Sequence, residues 1–293
     1  MKYLLGIDLG ATKILGGILD EELGIIHQET LPSRDSLMGL ADLGLVQTKR
    51  VISKLLVTAA KFNLKISAAG IGFPEYVSVE GQLMSKDGVG WQIQPKIELP
   101  KLTGFSWVIE SDVRCAALGE ATLGDGKAQS DFLYVLVSSG ISHTLVVNGR
   151  TWPGASGRAI GFGVTEIEHD GKFKTLESVA SGLGIAREYQ HKSGVMVSGA
   201  IEVFEKFGTD PIATAVIEQA AECLYRGLKN LVEVLDPEKI IIGGGLWLGS
   251  PKYRELVANR LPKPVSALLN LASLPNAGLI GAAAVARNSL INP

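Results

Sequence analysis

The stretch GIDLGATKILGG, residues 6–17, decides how the chain reads. Gly6, Gly10, Gly16 and Gly17 surround a single acid, Asp8. The segment lies within three strand-like runs, KYLLGID (2–8), KILGGILD (13–20) and LGIIHQETL (23–31), joined by short turns bearing glycine or acidic residues. That pattern predicts an antiparallel meander. Taken alone, the Gly10–Thr12 corner is an ordinary turn between strands. The other reading is a phosphate cradle, because backbone N–H groups reach phosphate oxygens only where no side chain intervenes.

The chain has 293 residues, 46% of them hydrophobic, which suits two lobes with a cleft between them. Its net charge of −2 and pI of about 6.1 give no electrostatic pull toward nucleic acid or anionic membrane. No signal peptide is expected, since strand-like sequence starts at Lys2. Leu268–Ala286 is apolar, but Pro275 and Asn276 interrupt it, so it reads as strand, turn and helix rather than a membrane span. Two distant cysteines, Cys115 and Cys223, fit a reducing cytoplasm without disulfides.

Further along, a helix is predicted from about Leu37 to Phe62, then a buried strand ISAAGIGFP ended by Pro74. The strand FSWVIES runs into the helix DVRCAALGEATL, with Asp112 as its cap. Tyr3–Leu15 aligns without gaps with Leu133–Leu145 at an offset of 130, setting Asp8 on Ser138, Gly10 on Gly140 and Thr12 on Ser142. A strand-turn-strand unit repeated in two halves suggests a duplicated fold. In the second half, Asp210 caps and Pro211 opens a long amphipathic helix reaching Leu235. A buried strand KIIIGGGL follows, then helices from about Pro251 to Leu261 and from Ala277 to Ala286.

Three glycine-bearing turns thus follow strands, at Gly10–Thr12, Ser138–Gly140 and Gly243–Gly245. Neither a P-loop GxxxxGK[ST] nor a helix-opening GxGxxG is present. In order, GIDLGATK, GIGFP, ESDVRCAALGE, GASGRA, LESVASG, LDPEKIIIGGGL and NAGLIGAA make nearly the whole chain resemble the ROK family (repressors, open reading frames, kinases). These are mainly bacterial sugar kinases of the α/β, two-lobed actin/hexokinase-like (ribonuclease H-like) fold. The resemblance implies ATP and Mg2+ as cofactors, with Asp8 positioning the metal and Gly10 and Thr12 approaching the phosphates. It places Ser138, Ser139 and Gly140 in the second phosphate turn and Gly243, Gly244 and Gly245 at the adenosine. Asp112 falls on the general base, a role compatible with capping. The implied division is a small lobe of residues 1–112 with 277–293 and a large lobe of 113–276, assembled as a homodimer. The implied partners are a small sugar or sugar-like substrate and a nucleotide.

The sequence also departs from the family pattern. Ser111 stands where the family has an asparagine that holds a sugar hydroxyl, Gly161 where it has a glutamate and Val164 where it has a histidine, while Glu177 keeps another sugar-contact position. Each lost charged hydrogen bond costs about 1.5–3 kcal/mol. The family's cysteine-rich zinc loop is replaced by HDGKFKTLE, with Thr175 at the last cysteine, and the four histidines are scattered, so no zinc is expected. His143 stands at the second phosphate turn, where it either blocks phosphates or points away. Two functions follow: an ATP-dependent kinase for an atypical sugar, or a non-catalytic sensor or partner-binding protein of the same fold. A DNA-binding repressor is not expected, since no helix-turn-helix segment precedes the first hairpin.

Overall fold

Strands β1 (Tyr3–Leu9), β2 (Lys13–Leu19) and β3 (Ile25–Pro32) form the antiparallel meander expected from the sequence. β1 and β2 are almost continuously apolar and lie buried, whereas β3 alternates exposed and half-buried residues at the sheet edge. The structure is a computed structural model describing residues 2–33, 45–85 and 92–291. Helix α1 (Val46–Lys61) follows. Of the helix predicted from Leu37 to Phe62, residues 37–44 lie outside those described. β4 (Ile66–Phe73), α2 (Pro95–Thr103), β5 (Trp107–Ser111) and α3 (Asp112–Leu123) come next, β4 joining β1 and β5 joining β4 in parallel. The sheet order is β3-β2-β1-β4-β5.

A second hairpin, β6 (Asp131–Val137) and β7 (Ile141–Val147), precedes the two-residue strand β8 (Arg150–Thr151). Then come a 3-10 turn (Gly161–Val164), the hairpin β9 (Glu166–His169) and β10 (Lys172–Thr175), and helices α4 (Leu176–Ala180), α5 (Gly182–Ser193), α6 (Ala200–Glu205) and α7 (Pro211–Leu235). In α7, Asp210 caps as predicted, accepting from the Ile212 and Ala213 N–H groups at 2.8 and 3.2 Å. The chain closes with β11 (Ile240–Gly243), α8 (Gly245–Gly249), α9 (Pro251–Ala258), α10 (Lys263–Ser266), β12 (Leu269–Leu271) and α11 (Ala277–Ile291). Among the described residues no helix is long and apolar enough to cross a membrane. Both cysteines are free and buried.

Two compact units result. One comprises residues 1–128, 149–159 and 273–293, the other 129–148 and 160–272. The boundary expected between residues 112 and 113 lies just after the first residue of α3, inside the first unit. Within the first sheet β1 carries an antiparallel partner on one side and the parallel β4 on the other; within the second, β6 carries antiparallel β7 and parallel β11, with β12 beyond. The duplication is therefore topological. Its register differs from the gapless alignment. β1 starts at Tyr3 and β6 at Asp131, 128 positions on, with the same burial pattern along both strands. Four residues separate the last paired residues of the first hairpin, Leu9 and Ile14, and only three separate Val137 and Ile141. The shorter turn sets Gly10 against Ser138 rather than Gly140.

In the first unit α11 packs on α3, β1 and β4 through very small residues. A Cβ at Gly281 would overlap the Cys115 carbonyl of α3, and one at Gly70 the Ala282 carbonyl of α11. Replacing Gly281 by alanine is expected to lower unfolding free energy by at least about 2 kcal/mol in urea titrations. Gly249→Ala, which meets open space, is expected to change it by less than about 0.5 kcal/mol.

Candidate functional site

In the first unit the sheet and α3 bring two predicted carboxylates together. Asp8 lies near the end of β1, and Asp112 is the first residue of α3, immediately after β5. Asp112 does not cap α3. The cap position belongs to Ser111, whose side chain makes no capping bond, while Asp112 Oδ1 accepts from the Val113 N–H at 2.7 Å. Both carboxylates keep part of their surface open, yet they sit deep among packed neighbours. Burial pushes Asp8 up to about 6 against the pull of Lys13. Burial, then the charge of Asp8, push Asp112 up to about 7; Glu75 adds to the rise, while the Val113 N–H and Arg114 oppose it.

Glu75 and Arg114 were not singled out in the sequence. Arg114 is buried and is held at three points: its Nε donates to Glu110 at 2.6 Å, Nη1 to the Gly157 carbonyl at 2.9 Å, and Nη2 to the Val77 carbonyl at 2.8 Å. Glu75 is buried and accepts a short hydrogen bond from Ser85. Nothing in one residue's identity announces such partners; only the fold supplies them. Gly278 of α11 lies against Asp8, and a Cβ there would stand 2.6 Å from the carboxylate carbon. Gly10 and Thr12 sit in the turn after β1, with the Gly10 N–H donating to the Lys13 carbonyl at 2.9 Å. The Ser111 hydroxyl is fully buried, without a partner among the described residues, so it presents nothing to a ligand in this conformation.

The remaining predicted residues lie in the second unit. The turn of Ser138, Ser139 and Gly140 closes through Ser138 N–H to the Gly140 carbonyl at 2.8 Å. Two N–H groups at the start of α5, Gly182 and Leu183, donate to the Ser138 and Ser139 carbonyls at 2.8 and 3.3 Å. Glu177 of α4 accepts from the Ile141 N–H at 2.7 Å, and a Cβ on Gly140 would come within 2.5 Å of the same oxygen. Glu177 thus braces the turn. Gly243 is buried in β11 beside Tyr134, Gly244 has φ of 97° against the Val137 backbone, and Gly245 opens α8 near Ser138.

His143 points away from the turn. Its Nδ1 accepts from the Phe162 N–H at 3.2 Å and its ring meets Phe162 edge-on, with burial pushing its pKa down to about 4. Gly161 and Val164 bound the 3-10 segment that His143 contacts, and Val164 is exposed. The turn of Ser138–Gly140 therefore carries no bulky side chain from His143.

A family profile for ROK matches residues 4–289. The chain belongs to the ROK family. It is similar to a glucokinase of Halalkalibacterium halodurans, 28% identical, with 96% of this chain and 93% of that one covered. Among solved structures, a ROK hexokinase from Thermus thermophilus aligns with a TM-score of 0.79 at 25% identity, covering 99% of this chain and 100% of that one. A ROK family glucokinase from Streptomyces griseus, in complex with glucose and AMPPNP, aligns at 0.75 and 23% identity, covering 98% and 99%. The fold is accordingly the actin/hexokinase-like α/β fold of ROK proteins, and its relatives in sequence include named sugar kinases.

The raised carboxylates make stability fall as pH rises. Between the ordinary aspartate value and about 7, the folded chain binds more protons at Asp8 and Asp112 than the unfolded chain does. Without nucleotide or divalent ions, Asp112→Asn is expected to be more stable than the wild type at pH 8 by about 1–2 kcal/mol, discounted for partial exposure. The gap should close by pH 4, as read from thermal unfolding.

Proposed function

We propose that this ROK protein transfers the γ-phosphoryl group of ATP to a hydroxyl of a sugar or sugar-like metabolite, with Asp112 as general base. One observation carries the reading: a carboxylate at the start of α3, raised to about 7 by burial and by Asp8, is poised to accept a proton near neutral pH. In the proposed step an Asp112 oxygen takes the hydroxyl proton as that hydroxyl's oxygen bonds to the γ-phosphorus. The bond from the γ-phosphorus to its bridging oxygen breaks, and ADP leaves. The positive end of α3 and the Val113 N–H favour the ionised carboxylate before the transfer, opposing desolvation.

The donor set suits magnesium. Among the described residues nothing hydrogen-bonds to the Asp8 side chain, the charge of Asp8 raises the proton affinity of Asp112, and Gly278 leaves the Asp8 carboxylate uncrowded. Magnesium bound with nucleotide supplies charge neutralisation at the phosphates. Asp8 would hold it; Gly10 and Thr12 would line the first phosphate turn, and Ser138–Gly140 the second. Glu177 would contact the substrate with its remaining lone pairs. A second reading, a sensor that binds ligand without turnover, is favoured by one observation: the Ser111 hydroxyl is sealed away from any sugar.

The test is ADP formation across a panel of aldoses, amino sugars and polyols. Asp112→Asn is expected to lower kcat about 10²–10⁴-fold with little change in KM. The wild-type kcat/KM should rise with pH through an apparent pKa near the value of about 7. ATP binding with no turnover on any substrate, identical in wild type and variant, supports the sensor instead.

A further inference from the structure

The hairpin β9–β10 and helix α5 bring together three side chains that the proposed reaction does not use. His169 ends β9, Asp170 follows in the turn, and Glu188 lies on α5. The His169 side chain is only 4% exposed, and its Nε2 has no hydrogen-bond partner among the described residues. That nitrogen faces Asp170 Oδ2 at 3.5 Å and Glu188 Oε1 at 3.9 Å. The three donor atoms lie within 4.8 Å of one another. The opposite ring nitrogen, Nδ1, is 3.8 Å from Cys223 Sγ of α7.

For the neutral ring, neither placement of its one proton satisfies this geometry. With the proton on Nδ1, toward sulfur, Nε2 turns a bare lone pair toward two carboxylates. With the proton on Nε2, the nearest acceptor at 3.5 Å is too far for a good hydrogen bond. A cation between the three atoms resolves both cases. We propose that His169, Asp170 and Glu188 bind a divalent transition-metal ion of the zinc class. Bonds of about 2.0–2.2 Å at tetrahedral angles hold donor atoms about 3.3–3.6 Å apart, so the observed spacing closes with small side-chain shifts. An imidazole beside two carboxylates selects zinc, cobalt or nickel over magnesium.

The structure also names the competitor. Lys192 Nζ lies 3.2 Å from both Asp170 Oδ2 and Glu188 Oε1, and 3.1 Å from Gln219 Oε1; Gln219 Nε2 donates to Asp170 Oδ1 at 3.4 Å, and Lys174 lies 3.6 Å from Glu188 Oε2. Both lysines are about one-third exposed. Metal binding displaces Lys192 into water, and removing Lys192 strengthens the site. The donors differ from the cysteine loop whose absence led the sequence reading to expect no zinc. Spacing along the chain hides them, because Glu188 belongs to a different element. The site lies wholly in the second unit and is independent of the kinase reading.

The experiment uses the full chain, stripped with chelator and free of nucleotide, titrated with Co2+ and then with Zn2+. Visible Co2+ absorption and retained metal after dialysis are the readouts. One equivalent of Co2+, displaced by Zn2+, is expected. His169→Ala and Glu188→Gln should weaken it at least about tenfold, Lys192→Met should tighten it, and Asp8→Ala should leave it unchanged. Glu188 is on a helix surface, so Glu188→Gln tests the site even where His169→Ala fails to fold. Absence of Co2+ absorption overturns the proposal, as does binding indifferent to Glu188→Gln and Lys192→Met, or binding lost in Asp8→Ala.

Discussion

The approach of α11 to α3 and to the central strands of its sheet is the constraint on which the first unit depends. The contact is backbone against backbone. Gly281 lets α11 reach the carbonyl of Cys115, Gly70 lets β4 reach that of Ala282, and a run of fully buried alanines fills the seam. Buried Glu120 fixes the approach, since its two oxygens accept from the Asp125 and Leu274 N–H groups at 2.9 and 3.0 Å. α3 begins with Asp112 and β1 carries Asp8, so the spacing that admits α11 also sets the two acids side by side. Core geometry and site geometry are one quantity here.

That placement costs stability, and its compensation is partial. Two carboxylates share a poorly solvated recess with Glu75 close by, while Lys13 and Arg114 only moderate the repulsion. Arg114 is already committed to Glu110 and to two backbone carbonyls. A chain built for stability alone would neutralise such a pair or replace it with apolar residues. The locally unfavourable electrostatics and the candidate catalytic groups coincide, which is where sequence-to-structure rules are expected to break.

Much of this was legible in the sequence. The meander, the buried strands ISAAGIGFP and KIIIGGGL, and the Asp210-capped helix were readable because apolar period, turn residues and caps agree there. The second hairpin was readable in kind but not in register. Gly10 and Gly140 invited a gapless pairing, and a turn shorter by one residue shifts the true correspondence to Ser138. Asp112 read as a cap because acids favour that position, yet the strand-to-helix junction runs one residue earlier and gives the cap to Ser111. Sequence left two directions open for His143; the Phe162 N–H selected one. Nothing in the chain order could pair Glu177 with Ile141 or Glu188 with His169, since those contacts exist only after helices dock on hairpins.

Glu177 shows how a residue's structural duty conditions its functional one. One of its oxygens takes the Ile141 N–H, and Gly140 has no side chain because that oxygen fills the space. The same turn gives its Ser138 and Ser139 carbonyls to the first N–H groups of α5, so those donors at the helix start are already engaged. The second hairpin is therefore fixed from within its own unit before any ligand arrives. Under the proposed function, the turn's remaining donors, fixed in advance, would bind a phosphate with little further ordering, which is the physical content of preorganisation. On the same reading it would also couple the two ligands. A substrate that draws Glu177 away from Ile141 must loosen the turn, and a substrate that leaves that bond intact keeps the turn rigid. Under the proposed function, selection at Glu177 would act on the geometry of the turn as well as on the fit of a hydroxyl.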